Sequence, residues 1–105
     1  MLKVCRGTTR LFRNNVGVLQ DKEGRYVRYG VGGNGGSDLI GWDTMMITRE
    51  HAGMRIAVFC AVEVKAPGES AAPDQLTWLS MVAAAGGRAG VAHSAEEAMA
   101  IMEGK

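Results

Sequence analysis

Cysteine, histidine and long apolar runs are scarce in this chain of 105 residues, and each scarcity removes a class of protein. Two cysteines, Cys5 and Cys60, are too few for a disulfide framework, and neither Cys-x-x-Cys nor a Cys/His zinc spacing occurs. Cys60 lies in an apolar stretch, where a free thiol acts as a small hydrophobe. No window reaches the roughly 18 consecutive apolar residues of a membrane span, and Met1 to Arg6 is too polar for a signal peptide. The expectation is a soluble, cytoplasmic protein with no membrane partner. His51 and His93 show no carboxylate at a telling spacing, so both read as structural or solvent-facing side chains rather than general bases.

What is present bounds the fold. A length of 105 residues with 47% apolar side chains makes one domain with a single modest core. The formal net charge is +1, but it is unevenly spread. Residues 1–30 hold seven basic side chains (Lys3, Arg6, Arg10, Arg13, Lys22, Arg25, Arg28) against Asp21 and Glu23, a net of +5; residues 31–105 hold five basic and nine acidic ones. A basic arm on a near-neutral chain suits a polyanion such as DNA, and a solvated basic hairpin is the plain alternative.

Asn15–Leu19 and Arg25–Tyr29 are β-prone runs flanking the polar turn Asp21-Lys22-Glu23-Gly24, which predicts a hairpin. Residues 30–36, with five glycines and an asparagine, read as a flexible loop. A strand should start near Asp38, and 48–53 should turn into a long central strand over 55–65, apolar on both faces up to Val62. Pro73 and Asp74 mark a helix start, with Leu76, Leu79, Val82 and Ala83 at helical spacing until Gly86-Gly87. Gln75 shares a face with Leu79 and Val82, which carries a polar amide inward. A short strand over 88–93 and a helix over 95–102, opened by a Ser94/Glu97 capping box, complete the pattern. The order implies an α/β domain: a small mixed β-sheet flanked by helices. Trp42 and Trp78 read as core or interface, and the seven methionines as gap-fillers.

Glu63-Val64-Lys65 closes the long strand. Glu63 and Lys65 are two apart and therefore share a face, and two charges at the inner end of an apolar strand need a reason. One reason is a metal site in which Asp38 and Glu63 hold a hard divalent cation, with Lys65 beside a phosphate or an attacking water. The other is a solvated Glu63–Lys65 pair, with Asp38 as a turn residue. Gln75, ten residues after Lys65 and aimed at the same strand end, favours the site. The run Gly30-Val31-Gly32-Gly33-Asn34-Gly35 matches Gly-x-Gly-x-x-Gly by letter, but a strand-like segment follows where a dinucleotide fingerprint needs a helix. No Lys-Ser or Lys-Thr follows it either, so no nucleotide cofactor is expected. A glycine loop before Asp38 instead keeps side-chain bulk away from the carboxylate.

Four segments in order, Gly-Gly-Ser-Asp-Leu-Ile-Gly (35–41), Ala-Val-Glu-Val-Lys (61–65), Gln75, and Gly-Gly-Arg-Ala-Gly-Val-Ala-His-Ser (86–94), resemble the VRR-Nuc domain. These are the virus-type replication-repair nucleases, a branch of the PD-(D/E)xK restriction-endonuclease-like fold. They occur alone in phages and bacteria and as the nuclease module of the Fanconi-associated nuclease. The resemblance spans roughly residues 12–102. It implies a single nuclease domain over 1–105, with a basic N-terminal hairpin (13–30) and a catalytic core (36–102).

The resemblance also implies roles. Asp38, Glu63 and the main-chain carbonyl of Val64 would bind Mg²⁺ or Mn²⁺, Lys65 would orient or activate water and offset charge, and Gln75 would position the site. The activity implied is a metal-dependent endodeoxyribonuclease, selective for branched DNA such as Holliday junctions or flaps, in replication, repair or recombination. Stand-alone members are homodimers, and the setting would be a bacterial or phage-infected cell. Arg13, Arg25, Arg28 and Ser37 are the expected DNA contacts. Two departures stand out: Ser37 replaces the proline of the fold's name, and no Asp or Glu precedes Asp21, where many members carry a glutamate on an N-terminal helix. A non-catalytic DNA-binding or assembly module that keeps the fold is the competing reading.

Overall fold

A computed structural model describes residues 8–105; Lys3, Cys5 and Arg6, which enter the charge and cysteine arguments, lie outside the described residues. The contacts gather into two compact units, Met1–Met45 and Met46–Lys105. The architecture is mixed α/β, and among the described residues the strands form three two-stranded ladders.

The described residues of the first unit form four strands and one short 3-10 turn, Gly33–Gly35. Strand β1 (Thr9–Arg13) pairs antiparallel with β4 (Leu39–Asp43), Arg13 facing Leu39 and Thr9 facing Asp43. Phe12 and Trp42 meet at 5.8 Å between ring centroids, so Trp42 packs as expected. Gly41 sits where the β1 backbone comes closest: a Cβ there would collide with the Arg10 carbonyl oxygen. The expected hairpin is present, with β2 (Gly17–Gln20) antiparallel to β3 (Tyr26–Tyr29). Its turn is built by Asp21, whose carboxylate oxygen accepts the N–H groups of Glu23 and Arg25 at 3.0 and 2.8 Å, while Gly24 takes φ +82°. Strand β1 was not legible in the sequence: its partner lies about 30 residues away, and nothing local signals the pairing.

The second unit carries β5 (Cys60–Val64), α1 (Pro73–Ala84), β6 (Arg88–Ala92) and α2 (Ala95–Met102). Strands β5 and β6 run parallel, joined through α1 as a short βαβ unit. Both helices stop by the same device. At the end of α1 the Gly87 N–H reaches the Val82 carbonyl and the Gly86 N–H the Ala83 carbonyl, both at 3.0 Å, with Gly86 at φ +102°. This is a Schellman cap, and Gly104 repeats it after α2.

Three expectations are corrected here. The strand expected over 55–65 begins only at Cys60, because β6 offers five residues to pair with; Ile56 is exposed, and among the described residues β5 has one partner strand instead of two. The inward face of α1 is Gln75, Trp78, Leu79 and Val82, whereas Leu76 and Ala83 face outward. Leu79 and Val82 are buried with Ala92 of β6, and Trp78 meets Phe59 edge-on at 6.5 Å. Finally, Ser94 caps α2 by accepting the Glu97 N–H at 3.1 Å, but the Glu97 carboxylate returns to the His93 N–H, at 2.8 Å, one residue before the expected Ser94. Among the described residues no helix is long and apolar enough to cross a membrane.

Candidate active site

The C-terminal end of β5 brings three of the expected residues together. Glu63 and Lys65 share a face by strand alternation, and Lys65 Nζ stands 3.7 Å from Glu63 Oε1. Gln75, at the third position of α1, reaches the same oxygen: Nε2 donates to Glu63 Oε1 at 2.6 Å. The helix start fixes the amide's orientation. Ala72, preceding α1, has no side-chain acceptor, and Gln75 Oε1 instead accepts the Ala72 N–H at 2.8 Å. An oxygen committed to a backbone N–H leaves the NH₂ end to donate to Glu63. Lys65 and Glu63 side chains keep 23% and 30% exposure, so both are screened from solvent yet reachable from it. Both contacts engage Oε1, which leaves Oε2 for a further ligand.

Main-chain direction adds another oxygen. The Lys65 N–H donates to the Ala92 carbonyl and the Arg88 N–H to the Phe59 carbonyl, so the odd-numbered residues of β5 turn their backbone polar groups toward β6. Even-numbered ones point the other way. The Val64 carbonyl therefore faces the edge of β5 opposite β6, while the Val64 side chain is 73% exposed. A carboxylate oxygen and a peptide oxygen are hard donors of the kind Mg²⁺ and Mn²⁺ take. Among the described residues no three His, Cys, Asp or Glu side chains cluster as a metal cage.

Asp38, Ser37 and Arg13 belong to the first unit. Arg13, Asn14, Asn15, Asp38 and Leu39 line one open concavity there. Its organiser is Asn14, a residue that sequence reading passed over. Asn14 Nδ2 donates to the carbonyls of Val31 and Ser37 at 2.8 and 3.0 Å, its Oδ1 accepts the Val31 N–H at 3.0 Å, and its own N–H donates to the Asp38 carbonyl at 2.8 Å. One amide thus clasps both ends of the glycine-rich loop that precedes Asp38.

The expected DNA contacts are placed unequally. Arg13 is exposed beside Asp38. Arg28 is exposed on β3 and donates to Asn34 Oδ1 at 3.0 Å. Arg25 is held within its own turn by Asp21 and Glu23, at 2.9 and 3.1 Å, so a phosphate would compete with two carboxylates for it.

The histidines differ from each other. His51 Nδ1 accepts the Thr48 N–H at 3.0 Å within a one-turn 3-10 helix, Arg49–His51, a structural role as expected. His93 does have a carboxylate, against the sequence reading: Glu97, four residues on, sits 3.3 Å from Nδ1, while Nε2 lies 2.8 Å from the Glu69 carbonyl. Hydrogen bonding to that carbonyl, followed by the Glu97 carboxylate, raises the His93 pKa above its ordinary 6.5. The His93 N–H and ring together lower that of Glu97 below 4.5. The His93 contribution to stability is complete below pH 6.5 and is lost as pH rises through its raised value; that of Glu97 is complete above 4.5 and is lost as pH falls through its lowered one. Wild type should therefore lose more Tm than His93→Gln on titration from pH 6 to about 8.5. Parallel Tm curves would exclude the coupling.

The VRR-NUC domain model matches residues 15–96, which takes in every element from β2 to the first turn of α2. Neither the curated proteins nor the solved structures provide a match to the chain. With the match spanning well over half its length, and with Glu63, Lys65 and Gln75 converging at one strand end, the chain belongs to the VRR-NUC domain family of nucleases.

Proposed function

We propose that this protein is a metal-dependent endodeoxyribonuclease that hydrolyses phosphodiester bonds in branched DNA, such as four-way junctions or flaps, in replication, repair or recombination. The observation that carries the reading is the shared oxygen of Glu63, bound by Gln75 Nε2 at 2.6 Å and faced by Lys65 Nζ at 3.7 Å. A half-buried amide spent on holding one carboxylate oxygen is what a ligand needs and a solvated ion pair does not. Glu63, the Val64 carbonyl and Asp38 would hold Mg²⁺ or Mn²⁺. When bound, the cation supplies Lewis-acid polarisation of the scissile phosphate and acidifies the attacking water.

The chain's own residues do the remaining work. Gln75 keeps the Glu63 carboxylate directed, and its own orientation is set before substrate arrives because the Ala72 N–H fixes its oxygen. Lys65 donates to a non-bridging phosphate oxygen or to the attacking water and offsets the negative charge that develops as the water adds. Arg13, Arg28 and Ser37 contact the DNA backbone, with Arg25 available only after leaving its turn. A homodimer acting in the cytoplasm of a bacterial or phage-infected cell would place two such sites on one branched substrate.

The test is to incubate purified protein with end-labelled duplex, flap and four-way-junction DNA in Mg²⁺, Mn²⁺ or chelator. Discrete products on the branched substrates, absent with chelator, are expected. Salt-sensitive binding with no product in either metal would instead support the non-catalytic binding module.

A further inference from the structure

His93 stands outside the set just described, yet hydrogen bonds through one turn join it to Ala66, the residue after Lys65. The residue after Lys65 opens the tight turn Ala66-Pro67-Gly68-Glu69. Within it the Glu69 N–H donates to the Ala66 carbonyl at 3.0 Å, Gly68 takes φ +86°, and the Glu69 carboxylate folds back to accept the Ala66 N–H at 3.0 Å. The Glu69 carbonyl is in turn bonded to His93 Nε2 at 2.8 Å. The ring's other nitrogen faces Glu97 Oε1 at 3.3 Å, and the same oxygen accepts the His93 N–H at 2.8 Å. Glu97 is fixed by the cap of α2, its N–H donating to Ser94 Oγ.

Both ring nitrogens thus face acceptors, a carbonyl and a carboxylate, and the arrangement is fully satisfied only when both carry protons. The charged groups facing the ring are Glu97 from α2 and Glu69 from the turn. On the other side of Lys65 the chain is already held, because its own N–H is bonded to the Ala92 carbonyl of β6. The peptide leaving Lys65 has no strand partner to hold it. An exposed four-residue turn with proline and glycine would leave that side of Lys65 free to move, unless something outside the turn pins it.

We propose that His93, backed by Glu97, is a positioning residue: it clamps the Ala66–Glu69 turn to the start of α2 and so fixes the backbone from which Lys65 reaches Glu63. This rests on the nuclease reading for the role of Lys65, but the clamp is observable without activity. What the clamp changes is the range of positions that Lys65 Nζ, 3.7 Å from Glu63 Oε1, samples.

The experiment uses the full chain as wild type, His93→Ala, His93→Gln, Glu97→Gln and Glu96→Gln, with two readouts. One is amide hydrogen exchange at Ala66, and the other is kcat and KM for Mg²⁺-dependent cleavage of labelled branched DNA. In His93→Ala, Ala66 should exchange at least about tenfold faster and kcat should fall roughly 10- to 100-fold, with KM within about twofold of wild type. His93→Gln keeps an N–H for the Glu69 carbonyl and should recover most of both losses. Glu97→Gln should fall between them, and Glu96→Gln, on the same turn of α2 but off the ring, should match wild type. Wild-type exchange and kcat in His93→Ala would overturn the proposal, as would a loss of kcat with Ala66 protection intact. Should His93→Ala fail to fold, wild-type values of both readouts in Glu97→Gln overturn it equally. A wild-type protein that yields no product defeats the nuclease reading, and Ala66 exchange then still decides whether the clamp exists.

Discussion

Replacing Glu63 by glutamine is expected to lower Mg²⁺-dependent cleavage by about 10³-fold or more, since loss of a metal ligand and its charge removes several kcal/mol of transition-state stabilisation. The fold should survive. Gln75 Nε2, now 2.6 Å from Oε1, can donate to an amide oxygen in the same place, and the Lys65 contact that loses its counter-charge is a long, solvent-reachable pair at 3.7 Å. Screened pairs of that kind contribute under about 1 kcal/mol. Asp38→Asn should give a loss of similar size, and it tests a separate point, because Asp38 sits in the first unit, next to the loop that Asn14 clasps. Cleavage at the wild-type rate in Glu63→Gln would overturn the catalytic assignment. A wild-type rate in Asp38→Asn alone would remove Asp38 from the ligand set and leave Glu63 and Val64.

Leu79→Ala should be the most destabilising single truncation in α1, at about 2–5 kcal/mol, a large share of the roughly 5–15 kcal/mol of a whole domain. Leu79 keeps only 8% exposure, and in the described residues the buried apolar set is Leu79, Val82 and Ala92. So small a core has few neighbours able to close over a cavity. The loss should extend to cleavage, because Leu79 and Gln75 lie on the same face of α1 and the packing of that face delivers the amide to Glu63. Leu76→Ala is the control: at 49% exposure its truncation should cost within about 0.5 kcal/mol. Urea midpoints at constant m-value separate the two. A larger cost for Leu76 than for Leu79 would mean that the packed face of α1 has been misassigned.

The second unit was largely readable from local rules. Pro73 and Asp74 open α1, Gly86-Gly87 close it, and Ser94 caps α2, each through bonds among neighbours in sequence. The hairpin of β2 and β3 was readable for the same reason, its turn being wired by Asp21 alone. Failures came where a distant partner decides. Residues 55–58 are apolar enough for a strand but have no partner strand among the described residues, and β1 is a strand only because β4 accepts it. Apolar periodicity likewise grouped Leu76 and Ala83 with Leu79 and Val82. Packing kept Leu79 and Val82, with Gln75, and left Leu76 and Ala83 outside.

The site divides in the same way. Residue types and spacing alone determined that Glu63 and Lys65 share a strand face, that Gln75 enters from the first turn of the next helix, and that acidic ligands are few. These follow from periodicities of two and 3.6 that hold wherever the elements form. Tertiary structure decided that Gln75 meets one particular oxygen of Glu63 and that the Val64 carbonyl faces the open edge of β5. It also decided that Arg25 is spent within its turn and that His93 grips the turn behind Lys65. Each of these depends on which chain segment lies across a ladder or beyond a loop, and that contact is fixed by packing free energy, which no single segment carries in its own residues.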